Sequence, residues 1–450
     1  MNPSLVGPAN ATPPSNSTFS PAISILNSSL WSLNSAFWGA DVRVYYALGG
    51  PEAQLMNATP IHYVRWPGGA VADQYNASAN RIWADGGVYS TPASSETQFV
   101  AWCQLIDCHA IIQLPGEIND AATAAYYVAY TEQTLKFHPT YWEIGNEPAQ
   151  WKHFGVAWPQ WKGSQNQNAT PGSYAWLVQN YTHAIRAVDP KARIIGLPGV
   201  GTGSYNEDVW IRATVALNGP NLSAVAIHVY PAGGSTSSPA TAAGFFATLS
   251  GKSSIEYRVP SDRQAIATAC PTCHGIQIFV TELGTGTQGG PYSRYMSGFS
   301  AVVYLSAEMA QAMLGNLPNV DLFAFQASYN DSLLTVSGTP SPIYSLYSKL
   351  FPLLQPVVLN VSVSSGPTHF YLVPAHSFDG TVFSLFVVNA NLTATVKLDL
   401  LGMGFPVLGS GVAMTWNSTS STPVSTSWTL LAPSLWNLPP RSVAVFQITV

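Results

Sequence analysis

Between residue 31 and about residue 335 the chain repeats one pattern. A short apolar run rich in β-branched and aromatic residues gives way to a loop and then to a longer stretch of helical periodicity. The apolar runs end near Gly39, Arg65, Leu114, Ile144, Leu197, His228, Thr281 and Phe325, which makes eight. Helical stretches fall at 95–107, 121–137, 173–188 and 297–314, among others. A strand that returns through a helix runs parallel to its predecessor. Eight such units predict a closed (β/α)8 TIM barrel rather than an open sheet. The chain has 450 residues, well above the roughly 250 of a lone barrel. After Pro342 the hydrophobic period changes to two, in segments such as 381–388, 393–400 and 442–450 separated by Gly, Pro, Ser and Asn. That pattern predicts a β-sandwich. The expected fold class is therefore α/β: a barrel over 31–338 and a C-terminal β-sandwich domain over 339–450. The Pro/Ser/Asn/Thr-rich segment 1–30 has an apolar stretch near Ile23, expected to add a strand to the sandwich.

A parallel barrel gathers its functional groups at the C-terminal ends of its strands. Only ten glutamates are present, and Glu117, Glu143, Glu147 and Glu282 are the four that lie on or just after predicted strands. Glu147 closes the fourth strand immediately before Pro148. Glu282 closes the seventh, after the β-rich run 276–281 and before a Gly-rich stretch. Two carboxyl groups meeting inside one barrel mouth are the equipment for breaking a glycosidic bond. One donates a proton to the leaving oxygen, and the other attacks the sugar or activates water.

Asn146-Glu147-Pro148 on the fourth strand, together with Glu282 on the seventh, resembles clan A of the glycoside hydrolases. Arg65-Trp66-Pro67-Gly68-Gly69 is similar to the clan's second-strand motif, and His228-Val229-Tyr230 to its sixth-strand motif. At family level, residues 143–148 and the Gly-rich 284–290 resemble the β-glucuronidase/heparanase family (family 79). Arg65 to Gly69 resembles the arabinofuranosidase and β-xylosidase families equally. The resemblance implies a retaining enzyme with Glu147 as acid/base and Glu282 as nucleophile. It also implies support for Glu282 from Arg65 and Tyr230, a hydrogen bond from Asn146 to the sugar hydroxyl beside the anomeric carbon, and His228 in the site. No metal or organic cofactor is implied, because two carboxyl groups suffice. Each supporting residue has a plainer reading, Arg65 as a structural ion-pair partner and His228 as a satisfied barrel histidine. Glu117 is expected to reach the substrate and Glu143 to lie beneath it. At least one of Trp151, Phe154, Trp158 and Trp161, in the loop after Glu147, is expected to face the cleft, although a small core under that loop explains one or two of them equally well.

The expected substrate is a β-linked glycan of the β-glucan or xylan type, since basic residues are few. A β-glucuronidase-type exo-hydrolase is the alternative, and would need cations such as Lys152, Lys162 or Arg294 for the substrate carboxylate. A non-catalytic cell-surface carbohydrate-binding protein is the alternative of another class, and transglycosylation is a nearer one.

Composition bears on setting. Only 9% of residues are charged while 47% are hydrophobic, against about 25% charged in an ordinary soluble domain. The net charge of −5 without Lys/Arg clusters excludes an electrostatic footprint for nucleic acid. The absence of an apolar run of about 18 residues excludes a membrane-spanning helix. Asn-x-Ser/Thr sequons recur from Asn10 to Asn417 and suggest N-linked glycans on a secreted protein. Met1-Asn2-Pro3 opens neither a basic n-region nor an apolar h-region, which leaves a removed signal or another export route. Few carboxylates and few cations also suit an acidic habitat. The cysteines fall in close pairs, Cys103/Cys108 and Cys270/Cys273. In an oxidising compartment these read as two local disulfides, with a zinc site built from all four thiolates as the rival. Oligomeric state is not legible.

Overall fold

The computed structural model describes residues 17–34, 37–162, 167–200, 206–233, 241–286, 292–328, 331–429 and 433–450. Eight parallel strands close into a barrel: β1 Trp38–Asp41, β2 Tyr63–Trp66, β3 His109–Leu114, β4 Tyr141–Ile144, β5 Ile194–Pro198, β6 Ala224–Val229, β7 Gln277–Leu283 and β8 Val320–Leu322. β8 pairs back onto β1 through Val320–Trp38, Asp321–Gly39 and Leu322–Ala40, which seals the ring. β1, β2, β4, β6 and β8 are buried along their whole length, as expected of strands covered on both faces.

Alternation along these strands stacks the barrel interior in layers. Tyr63, Ile111, Tyr141, Ile195 and Phe279 pack together with Ala224 and Ala226 as one apolar cluster. Two residues further along β2, β3 and β4 stand Arg65, Gln113 and Glu143, all buried. The barrel is thus filled by hydrocarbon below and by polar groups above. Gly39 is required by this arrangement, since a Cβ there would fall 1.6 Å from Oδ1 of the buried Asp321.

The helices hold the strand ends in place. Pro171–Val188 starts with a Thr170/Ser173 capping box and Pro at its first turn, and buries Tyr174, Leu177, Val178, Tyr181 and Ile185 at helical spacing. Its Tyr174 hydroxyl donates to Ile144 O (2.9 Å) and accepts from Leu197 N (2.7 Å), tying β4 to β5. Gly298–Leu314 is buried from Ala301 to Leu314. A helix with no polar face must be covered all round, and this one packs against the sandwich, with Gln311 Nε2 donating to the Tyr371 hydroxyl (3.0 Å).

The C-terminal region is antiparallel. A seven-stranded sheet runs, edge to edge, Val424–Trp428, Ser410–Asn417, Ser442–Thr449, Val382–Asn389, Phe370–His376, Val357–Val363 and Ile23–Ser32. Thr18–Phe19, Thr395–Asp399 and Leu435–Leu438 form a second, three-stranded sheet. The period of two sorts the residues: Leu372, Leu385, Val387 and Phe446 face the core shared with the small sheet. Tyr371, Val373, Phe386, Val388 and Val445 join the core shared with the barrel. The segment near Ile23 does add a strand, pairing antiparallel with Val357–Val363.

Both cysteine pairs are disulfides, Cys103–Cys108 and Cys270–Cys273, each just ahead of its strand, β3 and β7. No described helix is long and apolar enough to cross a membrane. Of the sequons, Asn10, Asn16 and Asn330 lie outside the described residues, as do 287–290 of the Gly-rich stretch. Asn57, Asn168 and Asn180 are exposed. Asn391 is buried and its Nδ2 donates to Thr368 O (3.4 Å), so that sequon is not open to a glycan in the folded chain.

Candidate active site

At the C-terminal end of the barrel, β2 supplies Arg65, and its guanidinium organises the floor. Nε donates to Glu143 Oε2 (2.5 Å), NH1 to Asp41 Oδ1 (2.9 Å) and to Glu282 Oε1 (2.8 Å), and NH2 to Asn146 Oδ1 (2.9 Å). Asp41 and Arg65 are register partners on β1 and β2. One fully buried cation thus faces three carboxyl groups and an amide. Removing it would leave buried carboxyls unpaired, a change costing about 3–5 kcal/mol where measured in other proteins. Burial pushes Asp41 and Glu143 upward, opposed by Arg65. The structural reading of Arg65 and its proximity to Glu282 are therefore both true.

Glu282 is held at both oxygens. Oε1 accepts from Arg65, and Oε2 accepts from the Tyr230 hydroxyl at 2.6 Å. Tyr230 follows β6 directly. A register shift after Ile227 sets His228 opposite Glu282. Its Nδ1 lies 3.4 Å from Glu282 Oε2 and 3.0 Å from Glu147 Oε1. Burial drives the His228 imidazole down to about 3, against the pull of Glu282, so the ring is neutral between the two carboxyls at ordinary pH.

Glu147 ends the β4 turn with φ +45° and ψ +61°, a left-handed conformation uncommon outside glycine and concentrated at functional sites. Its Oε2 accepts from Gln150 Nε2 at 2.7 Å. Burial lifts its carboxyl to about 7, with Arg65 pulling the other way. Burial is the cause; the Glu282 charge, expected to share in it, is not. Asn146 is buried with Oδ1 facing Arg65, so its Nδ2 is the end with donors to offer a ligand. A Glu147 oxygen, His228 Nδ1 and a Glu282 oxygen all lie within 4.8 Å of one another. Those three atoms could also hold a cation, in competition with the guanidinium already on Glu282.

Arg65, Asn146, Glu147, His228, Tyr230 and Glu282 are thus brought together, and Glu143 lies beneath them. Two expectations are corrected. Glu117 does not point to a ligand: Oε1 accepts from Lys152 N (2.6 Å) and His153 N (2.7 Å), fastening the loop after β4. Trp151 does not face the cleft. Its indole lies against Gly116 and Gly145, where a Cβ would come within 2.7 and 2.6 Å of the ring, and Nε1 donates to Asp73 Oδ2 and Asn146 O. Trp158 and Trp161 are buried too, donating to Asp73 O and Val156 O, and Phe154 stacks on Trp151. A loop this long without regular structure needs a core of its own, and a hairpin from Arg81 to Ser90 supplies Trp83 to it.

Asp41, Asp73, Gln113, Gln150 and Phe323 were missed. Gln113 Oε1 accepts from Gly68 N (2.9 Å). Phe323, just past β8, packs where a Gly69 Cβ would be, 3.0 Å away, with Glu282 Oε1 at 3.6 Å. Applying to aspartates the strand-end test used for glutamates would have found Asp41.

No family model and no curated protein matches the sequence. Solved structures match throughout. The α-L-arabinofuranosidase of Thermotoga maritima in complex with arabinose aligns over 96% of this chain and 100% of its own, with TM-score 0.73 at 14% identity. What is shared is the fold. The family 51 arabinofuranosidase of Xanthomonas axonopodis pv. citri gives 0.72 at 14% identity over 96% and 100% of the two chains. A family 44 xyloglucanase of Paenibacillus polymyxa gives 0.70 at 12%, over 96% and 100%. The likeness does not single out family 79.

Proposed function

We propose that the protein is a retaining glycoside hydrolase acting by double displacement. The observation that carries this reading is the separation of its two carboxyl groups, within 4.8 Å. Retaining enzymes hold theirs about 5–5.5 Å apart, whereas inverting ones leave about 6.5–9.5 Å for a water. Glu282, fixed by Arg65 and Tyr230, attacks the anomeric carbon as the bond to the leaving oxygen breaks. Glu147, with its carboxyl raised to about 7 by burial, gives that oxygen its proton. In the second step Glu147 takes a proton from water, which displaces Glu282 from the ester with net retention. Asn146 Nδ2 binds the hydroxyl beside the anomeric carbon, a contact that strengthens in the transition state.

The substrate we propose is a neutral plant-type glycan, β-glucan or xylan. Support comes from neighbours that include a bifunctional glucanase-xylanase and a xyloglucanase, and from the exposure of Lys152, Lys162 and Arg294 on the surface. A uronide-cleaving reading has one observation in its favour: the Arg43 guanidinium lies 5.4 Å from the ring of Phe323, which packs beside Gly69 and Glu282. Local disulfides and exposed sequons support secretion.

The test is a screen of aryl glycosides, β-glucan, xylan and glucuronides with wild type and Glu282→Ala. Turnover of one neutral class is expected, lost in the variant and restored by azide as the inverted glycosyl azide. Preference for glucuronides would move the assignment to the uronide reading. A folded protein that binds glycans and turns over none would make it a binding protein. Activity that disappears with a chelator would assign the Glu147–His228–Glu282 triad to a metal instead.

A further inference from the structure

Asp73 belongs to no motif, yet it is 2% exposed and collects four hydrogen bonds. It sits in the four-residue helix Val71–Gln74 that follows the β2 turn. Oδ1 accepts from Gly116 N (2.8 Å) and Glu117 N (3.2 Å) in the loop after β3. Oδ2 accepts from Asn146 N (3.1 Å) and Trp151 Nε1 (2.9 Å). Trp151 Nε1 also reaches Asn146 O at 2.7 Å. The peptide groups on both sides of Asn146 are therefore clamped by one carboxylate and one indole. They need to be, because Gly145 (φ +77°) and Glu147 (φ +45°) flank Asn146 in left-handed conformations, which persist only where the surroundings impose them. None of the four donors comes from β6, β7 or β8. Glu282 is held separately, by Arg65 and Tyr230.

We propose that Asp73 is the positioning residue of the proton-donating half of the site: its carboxylate fixes the Asn146–Glu147 turn, while the attacking half stands without it. The inference rests on the acid/base reading of Glu147 given above. It predicts a loss that depends on the leaving group. A leaving group that needs protonation feels a displaced Glu147, and a dinitrophenolate, which leaves unaided, does not. A displacement of about 1 Å is worth on the order of 100-fold in rate.

The experiment compares kcat/KM, which reports bond cleavage up to the first irreversible step, on methoxyphenyl and dinitrophenyl glycosides of the sugar that the wild type cleaves. Asp73→Asn keeps the shape but turns an amino group toward two of the N–H donors. It should lose about 100-fold on the methoxyphenyl glycoside and less than about 5-fold on the dinitrophenyl one, with KM little changed. Its kcat on the dinitrophenyl glycoside, limited by water activation, should recover with azide. Trp151→Phe, which removes only the indole N–H, should fall the same way by a smaller factor, and carries the test if Asp73→Asn does not fold. Equal losses on both substrates, or no loss on either, would overturn the proposal. Glu147→Ala is the control: if it shows no leaving-group selectivity, the acid/base reading fails, and it fails independently of Asp73.

Discussion

At the scale of single residues, two carboxyl groups of the same chemical kind sit in unlike surroundings. Glu282 has a guanidinium and a phenol at hydrogen-bonding distance; Glu147 has burial, a neutral imidazole and an amide. Since burial lifts Glu147 to about 7, kcat/KM should fall as pH rises through that value and the acid loses its proton. Glu147→Gln should abolish that alkaline limb along with most of the activity on poor leaving groups; a limb that survives would assign it to another group. Tyr230→Phe removes one hydrogen bond to a carboxylate, a contact worth about 1.5–3 kcal/mol, so kcat/KM should drop roughly 10- to 100-fold with the melting temperature little altered. Glu147, Glu282, Arg65, Asn146, His228 and Tyr230 were legible because each sits at a strand end, where the topology alone decides what meets. Asp73 and Gln150 were not, because their positions depend on turns that no periodicity announces. Trp151 was misread for a related reason: an aromatic side chain suits a sugar face and a small core equally, and only Gly116 and Gly145 beneath the ring decide between them.

Among elements, the eight strands emerged within a few residues of their expected ends, since apolar runs bounded by turns leave little freedom in a closed parallel barrel. The hairpin Arg81–Ser90 and the helix Ile255–Ala269, with Pro260 inside it, carried weaker signals: the hairpin is short and half exposed, and proline in a helix interior argues against one. The strand Ile23–Ser32 covers the Val357–Val363 edge of the seven-stranded sheet. Deleting residues up to Ser32 would bare that edge, and uncovered edges pair with other chains. The truncated protein should melt lower and self-associate on size-exclusion chromatography. A monomer of unchanged stability would mean that this strand merely decorates the sheet.

For the whole molecule, the balance of buried charge is lopsided. Among the described residues, eleven of the 22 acidic side chains are buried, against one buried arginine and no buried lysine. Burial raises most of them: Glu96 to about 7, Glu308 to about 8, and Asp73, Asp262 and Asp321 in the same direction. A carboxyl whose folded value exceeds its unfolded one binds more protons in the folded state. Its stabilising contribution is then complete below the unfolded value, about 4, and is lost as pH rises through the folded one. The melting temperature should therefore be higher near pH 5 than near pH 8, and Glu308→Gln should flatten the decline; a melting temperature that rises over this interval would refute the argument. Low surface charge and protonated buried acids both suit an acidic setting. The claim on which the account turns remains that Glu282 forms a covalent bond to the sugar, and trapping tests it most directly. Incubation with an activated fluorosugar, followed by peptide mass mapping, should place the adduct on Glu282 and leave Glu147 unmodified. An adduct on any other residue, or turnover with inverted configuration and no adduct, would contradict it.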